Sequence, residues 1–252
     1  MSSKSVTELD PTLVEHRRMW ETKPTLRVIY RDYHRRLLNA CPPGRVLDIG
    51  GGSAHVKHYR RDVTSADILP FPGIDVVCDA HALPFADRSF SGILMLDVLH
   101  HLGHPVDFLR EAARVLRPGG VVAMIEPGMT ALSYPFYRYV HQEPADLRAD
   151  PFKPASTRAD KDPWDSNQAI PTLLFARERN ASEVLRQVPN LRLVAMDWLG
   201  ILAYPLSGGF KPWCLVPARA AEWLIRLEDR LPRGVRQHTA FRLFVVLERS
   251  TR

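Results

Sequence analysis

Apolar and polar positions along this chain follow two rhythms that alternate. In residues 25–39, TLRVIYRDYHRRLLN, the residues Leu26, Ile29, Tyr30, Tyr33, Leu37 and Leu38 recur at helical spacing with arginines opposite. That spacing predicts an amphipathic helix, stopped by Cys41-Pro42-Pro43-Gly44. Residues 45–49 then read as a short buried strand, Gly50, Gly51 and Gly52 as a turn, and residues 54–61 as a brief helix. Further strands are predicted at 63–68, 74–78, 91–96 and 121–126. Before the last of these, HPVDFLREAARVLRPGG places Phe108, Leu109, Ala112, Val115 and Leu116 on one helical face, ended by Pro118-Gly119-Gly120. Strands and helices in this order argue for a parallel sheet covered by helices on both faces.

Periodicity weakens after Glu126-Pro127, and residues 128–168, rich in Pro, Asp, Arg and aromatics, read as an inserted lobe or lid. A helix is predicted over 171–187, a strand over 191–199 and a last strand over 240–248. Between those strands lie the loop YPLSGGFKPW and a helix with Trp223, Leu224, Leu227 and Leu231 on one face. The expected organisation is an N-terminal helical cap at 1–40 and one α/β domain at 41–252, with insertions at about 128–168 and 200–238.

Composition narrows the class of protein. With 252 residues, 45% hydrophobic and 25% charged, the chain can bury one substantial core. Cys41, Cys78 and Cys214 lie far apart without any CxxC or Cys/His ligand spacing, so a reducing cytoplasm is expected and neither a disulfide framework nor a zinc site is suggested. No stretch reaches the roughly 18 apolar residues of a membrane span, and no signal-peptide core is visible. The net charge of +6 comes from dispersed basic residues without a groove-reading motif, so nucleic acid is not the expected partner.

The turn carries the first chemical signal. Glycines between a strand and a helix let a ligand approach the backbone closely, although a structural turn looks alike. Asp67 follows the second strand, 19 residues beyond Asp48 (67 − 48), where a carboxylate reaches ribose hydroxyls, as it does for nicotinamide and other adenosine cofactors. Asp79 follows the third strand, placed to accept from an adenine amino group or to serve as an ordinary turn residue. Asp97, after the fourth strand, either touches the cofactor or caps its own segment.

Taken together, VLDIGGG, the acid of SADI, CDAHALPFADRSFSGI, LMLDVLHHL, FLREAARVLRPGG and VVAMIEP occur in a fixed order from 46 to 126. In this the chain resembles the class I S-adenosylmethionine-dependent methyltransferases, in particular the branch with a methyltransferase-11-like core. The resemblance implies a Rossmann-like seven-stranded sheet with the last strand antiparallel, AFRLFVVLE being that strand. It also implies S-adenosylmethionine as cofactor: Asp48 setting the turn and the methionine amino end, Gly50, Gly51 and Gly52 lining it, Asp67 on the ribose, and Asp79 with Ala80 at the adenine. Ala54 stands where a third glycine is common in the family.

Methyl transfer from a sulfonium is an in-line displacement, which requires alignment and exclusion of water. A hydroxyl acceptor must also lose a proton, a task suited to histidine near neutral pH. The candidate bases are His100 and His101, just beyond the fourth strand, and His141 in the lobe, beside Tyr134, Tyr137, Tyr139 and Glu143. His101 has a competing structural role, and the tyrosines a competing role in packing. Trp20, Tyr30, Tyr33 and His34 either close over the site or pack. No metal is expected, because Asp97 and Glu126 alone do not make an octahedral site. The leading reading is O-methylation of a small or medium acceptor, saccharide, lipid-linked or phenolic. Against it stand a non-catalytic cofactor-binding protein and an NAD-dependent oxidoreductase, the latter without a Tyr-x-x-x-Lys pair.

Overall fold

A computed structural model describes residues 9–141, 143–153 and 162–251. Seven strands form one sheet: β1 (Val46–Ile49), β2 (Thr64–Asp67), β3 (Val76–Val77), β4 (Phe90–Leu96), β5 (Leu116–Pro127), β6 (Leu191–Leu199) and β7 (Arg242–Arg249). Their order is β3-β2-β1-β4-β5-β7-β6. The pairs β3–β2, β2–β1, β1–β4 and β4–β5 are parallel, while β7 runs antiparallel to both β5 and β6. The doubly wound sheet with an antiparallel last strand is therefore the observed fold.

The helices are α1 (Pro11–Thr22), α2 (Pro24–Ala40), α3 (Pro105–Val115), α4 (Ser133–Tyr139), α5 (Ile170–Phe175), α6 (Glu178–Gln187), α7 (Ala203–Ser207), α8 (Ala218–Glu228) and α9 (Arg233–Thr239). Leu26, Ile29, Tyr30 and Leu37 of α2 pack one sheet face, against Val46, Leu94, Ala123 and Ile125. Phe108, Leu109 and Ala112 of α3, with Phe175 and Val184, fill the other. Each of the leucine, isoleucine, valine and phenylalanine side chains among these contributes about 1.5–3 kcal/mol on full burial, so the apolar stripes of α2 and α3 suffice to fix both helices on the sheet. A smaller cluster of Met129, Tyr137, Leu173 and Phe241 holds the segment after β5.

Several elements depart from the sequence expectation. Within the expected helical cap at 1–40, where 25–39 alone is predicted as an individual helix, α1 is a second one: Asp10 caps it by accepting from the N–H groups of Thr12 and Leu13, and Pro11 occupies its first turn. The brief helix after the glycines shrinks to a 3₁₀ turn at His55–His58, following Ala54 at φ 59°. The helix expected over 171–187 is two, because Arg177 takes an extended conformation between α5 and α6. Strand β5 starts at Leu116 and runs through Pro118-Gly119-Gly120, which were expected to precede it.

The expected apolar face of α8 also needs correction. Trp223 is 60% exposed and Leu227 39%, while Ala221 and Glu228 are buried. The Glu228 carboxylate accepts from the N–H groups of Ile201, Leu202 and Ala203 at 2.7–2.9 Å, covering the start of α7, which forms within the predicted YPLSGGFKPW loop region. Satisfying otherwise orphaned helix donors offsets the burial of a carboxylate, so this polar contact sets the rotation of α8.

Candidate functional site

A cavity of about 860 Å³ opens at the carboxyl edge of the sheet. Its floor is built from residues at the ends of β1 to β4, among them Asp48, Gly50, Asp67, Asp79 and Asp97. The opposite wall comes from Leu13 and His16 of α1, His141 and Glu143 beyond α4, Trp164, and Phe210 to Trp213. His16 stacks on Phe210 at 4.1 Å and meets Trp164 edge-on, while the Trp164 indole N–H donates to Asp10 at 3.2 Å. Lys23, between α1 and α2, is buried and donates to the carbonyls of Gly209 and Lys211, both at 2.7 Å. Burial lowers its pKa.

At the glycine turn, Gly50 has φ +67°, a conformation glycine adopts without a Cβ penalty. Gly51 is required for space, because a Cβ there would lie 2.1 Å from the Ser65 hydroxyl oxygen. The Ser65 hydroxyl donates to Asp48 at 2.9 Å beneath the turn. Burial pushes the Asp48 carboxyl up to about 7, against the lowering effect of that hydroxyl. Asp67 accepts from the N–H groups of Gly52 at 2.7 Å and Leu69 at 2.9 Å; burial raises its pKa while these donors oppose the rise. Each carboxylate oxygen can accept more than one hydrogen bond, so Asp67 retains capacity for hydroxyl donors. Asp79 accepts from the His81 N–H at 2.8 Å and pairs with the His81 ring at 2.6 Å.

Beyond β4, Asp97 sits at φ +60° and forms an ion pair with Arg242 of β7. Arg242 is only 1% exposed, and its guanidinium lies over the rings of Tyr204 at 4.6 Å and Tyr33 at 5.6 Å. Burial raises the Asp97 pKa, and Arg242 opposes the rise.

A second constellation joins β4, β5 and the segment after α4. Glu126 accepts from the N–H groups of Val98 and Leu99 through one oxygen, and its other oxygen lies 2.7 Å from His100 Nδ1. His100 Nε2 is 3.4 Å from Glu143 Oε2, and His101 Nε2 is 3.9 Å from the same oxygen. Glu143 also accepts from the Ser166 hydroxyl at 2.8 Å and the Gln168 amide at 2.6 Å. The Asn167 N–H donates to the His100 carbonyl, tying the two segments together. Burial alone would lower the His100 pKa, but Glu126 and Glu143 outweigh it and hold the ring up to about 9. Glu143 falls well below its ordinary value despite burial, chiefly because it faces His100.

The cavity collects Asp48, Gly50, Gly51, Gly52, Asp67, Asp79, Ala80, Asp97, His100, His101 and His141 from the sequence reading. His141 accepts from the Glu143 N–H through Nδ1 at 3.3 Å, and burial lowers its pKa. The lobe tyrosines do not line it: Tyr137 is buried and donates to the Phe241 carbonyl, and Tyr139 is 83% exposed. Tyr30 and His34 of α2 reach the cavity, whereas Trp20 of α1 and Tyr33 of α2 pack elsewhere. Arg242, His16, Trp164 and Gln168 were missed. Arg242 had a signal, a lone cation inside AFRLFVVLE; the others lie on segments without periodicity.

Residues 47–124 match a family model described as "Methyltransferase domain". A possible histamine N-methyltransferase from Thermotoga maritima superposes with a TM-score of 0.58 at 15% identity, covering 95% of this chain and 97% of that one. The chain carries a class I S-adenosylmethionine-dependent methyltransferase core. The cofactor of this methyltransferase core is S-adenosylmethionine, and the residues present fit it: the side-chain-free glycine turn and the carboxylates Asp67 and Asp79 face one cavity. Among curated proteins, the core is 31% identical over 116 residues to the ubiquinone/menaquinone biosynthesis C-methyltransferase of Desulfotalea psychrophila, covering 38% of this chain and 47% of that protein. It is 50% identical over 107 residues to phthiotriol/phenolphthiotriol dimycocerosates methyltransferase 1 of Mycobacterium ulcerans, covering 35% and 40%. The chain thus spans under half the length of these curated relatives.

Proposed function

We propose that this protein transfers the methyl group of S-adenosylmethionine to an oxygen of a small or medium acceptor in a glycan, lipid-linked or secondary-metabolite pathway. The supporting observation is a continuous cavity of about 860 Å³, with the glycine turn and strand-end acids on one part and the histidine–glutamate cluster on another. Its volume lies in the upper range of roughly 300–1,000 Å³ typical of small-molecule sites, which suits two ligands side by side. The Mycobacterium ulcerans relative is named for a triol, and hydroxyl oxygen is the acceptor atom favoured here.

In this reading, Asp48 and the turn face the methionine amino end, Asp67 accepts from the ribose hydroxyls, and Asp79 and Ala80 border the adenine. Bound there, the cofactor supplies an electrophilic methyl group on a sulfonium. His101 takes the acceptor proton, with Glu143 orienting its ring; Glu126 fixes His100 beside it. His141 suits the base role less well. Its Nδ1 already accepts a backbone hydrogen bond, so the neutral ring carries its proton on Nε2. Of the expected cap at 1–40 and insertions at 128–168 and 200–238, residues 1–8, 142 and 154–161 lie outside the described residues; the described parts act as cap and lid, keeping water from the transfer.

Calorimetry with S-adenosylmethionine and with NAD, followed by labelled methyl transfer across hydroxyl-bearing acceptors, tests the reading. Binding of the methyl donor and O-methylated product are expected. Donor binding without turnover on any acceptor would support the non-catalytic alternative, and NAD binding would support an oxidoreductase. The Desulfotalea psychrophila relative, named a C-methyltransferase, favours carbon as a second reading. The position of the label in the product decides between the two.

A further inference from the structure

The same cluster has the composition of a metal site. His100, His101 and Glu143 each offer one donor atom, and the three atoms lie within 4.8 Å of one another. Separations of 3.4 Å and 3.9 Å from Glu143 Oε2 to the two Nε2 atoms compare with about 3.3 Å for tetrahedral donors some 2.0–2.1 Å from a cation. All three residues line the cavity, so further coordination positions would face it.

The surroundings match those of metal ligands. A ligating histidine is usually held through its other nitrogen by a carboxylate, which fixes both ring orientation and tautomer. Glu126 does this for His100, and is itself anchored by two backbone N–H groups. Glu143 is oriented in turn by Ser166 and Gln168. A neighbouring trio, Asp97, His100 and Glu126, is equally compact but committed elsewhere: Asp97 pairs with Arg242, and both Glu126 oxygens are engaged.

We propose that His100, His101 and Glu143 bind one divalent cation of borderline softness, of the zinc class, with its open positions toward the acceptor side of the cavity. Two imidazole nitrogens and one carboxylate select such an ion over magnesium or calcium, which prefer all-oxygen sites. The donors converge from the end of β4 and from the lobe 42 residues further on (143 − 101), so neither segment alone displays ligand spacing. This site is an alternative to the base role given to His101 above, because a ring nitrogen bound to a cation cannot also accept a proton; methyl transfer with and without chelator separates the two. The site itself stands on donor geometry and does not depend on the acceptor.

Tag-free protein stripped with chelator and titrated with zinc, then with cobalt(II) as a spectroscopic probe, tests the site. One equivalent should bind at micromolar affinity or tighter, with the visible absorption of low-symmetry cobalt. His101→Ala and Glu143→Gln, whose side chains are partly accessible, should each weaken binding at least tenfold, with folding checked by circular dichroism. His238→Ala, exposed on α9, should leave it unchanged. Absence of stoichiometric binding, or equal affinity in both cluster variants and the parent, would overturn the site. Methyl transfer persisting in chelator would then leave the proposed activity standing without it.

Discussion

Arg242 stands in a strand of apolar neighbours with almost no access to water, and Asp97 faces it across the sheet. Removing one partner of a buried pair strands the other charge, so Asp97→Ala should lower unfolding free energy by about 3–5 kcal/mol. Asp67→Ala, which releases two backbone donors at the cavity edge, should cost only about 1–2 kcal/mol. Urea denaturation measures both, and equal losses would mean that the pair does not anchor β7. Cofactor affinity should rank differently: calorimetry is expected to find Asp67→Ala the weaker binder relative to its folded fraction. Asp48 supplies a pH signature. Its folded pKa of about 7 lies above the ordinary carboxyl value, so its contribution to stability is fully present below about pH 4 and is lost as pH rises through 7. Relative to Asp48→Asn, the parent should lose on the order of 1–3 kcal/mol between pH 4 and pH 8 in urea titrations; parallel curves would refute the shift. The lone arginine in AFRLFVVLE was readable as unusual. Its partner was not, because the pairing is made by the sheet order, which brings β7 beside β5.

Among the elements, those with a clean apolar period were legible: α2, α3 and β6 appear within a few residues of their expected limits. Helix α1 was not, because PTLVEHRRMWET buries only Leu13, Met19 and Trp20. Its start signal is the pair Asp10-Pro11, a capping carboxylate followed by a proline in the first turn. Asp10→Ala should therefore cost about 1 kcal/mol through the lost cap and the lost Trp164 bond. Amide hydrogen exchange should accelerate over residues 12–17 while β1 and β4 keep their protection; uniform acceleration would show that the cap serves the whole domain. The misread face of α8 has another cause. Periodicity counts apolar residues, whereas the helix turns a glutamate inward to serve three backbone donors at and just before the start of α7. Polar contacts between distant segments leave no period.

At the scale of the molecule, the sheet and its covering helices were expressed in the order of short motifs from 46 to 126, and strand order followed from the fold they imply. The far wall of the cavity was not expressed, since α1, Trp164 and Phe210 meet only after folding. Because the cofactor should fill a space bounded by all of these, S-adenosylmethionine at a hundred times its Kd is expected to add about 2.7 kcal/mol, or roughly 5–10 °C in melting temperature. Differential scanning fluorimetry checks this, and an equal shift with NAD would contradict the cofactor assignment. Among the described residues, no helix is long and apolar enough to cross a membrane.

The ammonium of Lys23 joins the junction of the first two helices to the carbonyls of a segment more than 180 residues later. Residues of α1 and of the Gly209 segment both line the cavity, so these two bonds tie two of its sides together, and a substitution at Lys23 would loosen both at once.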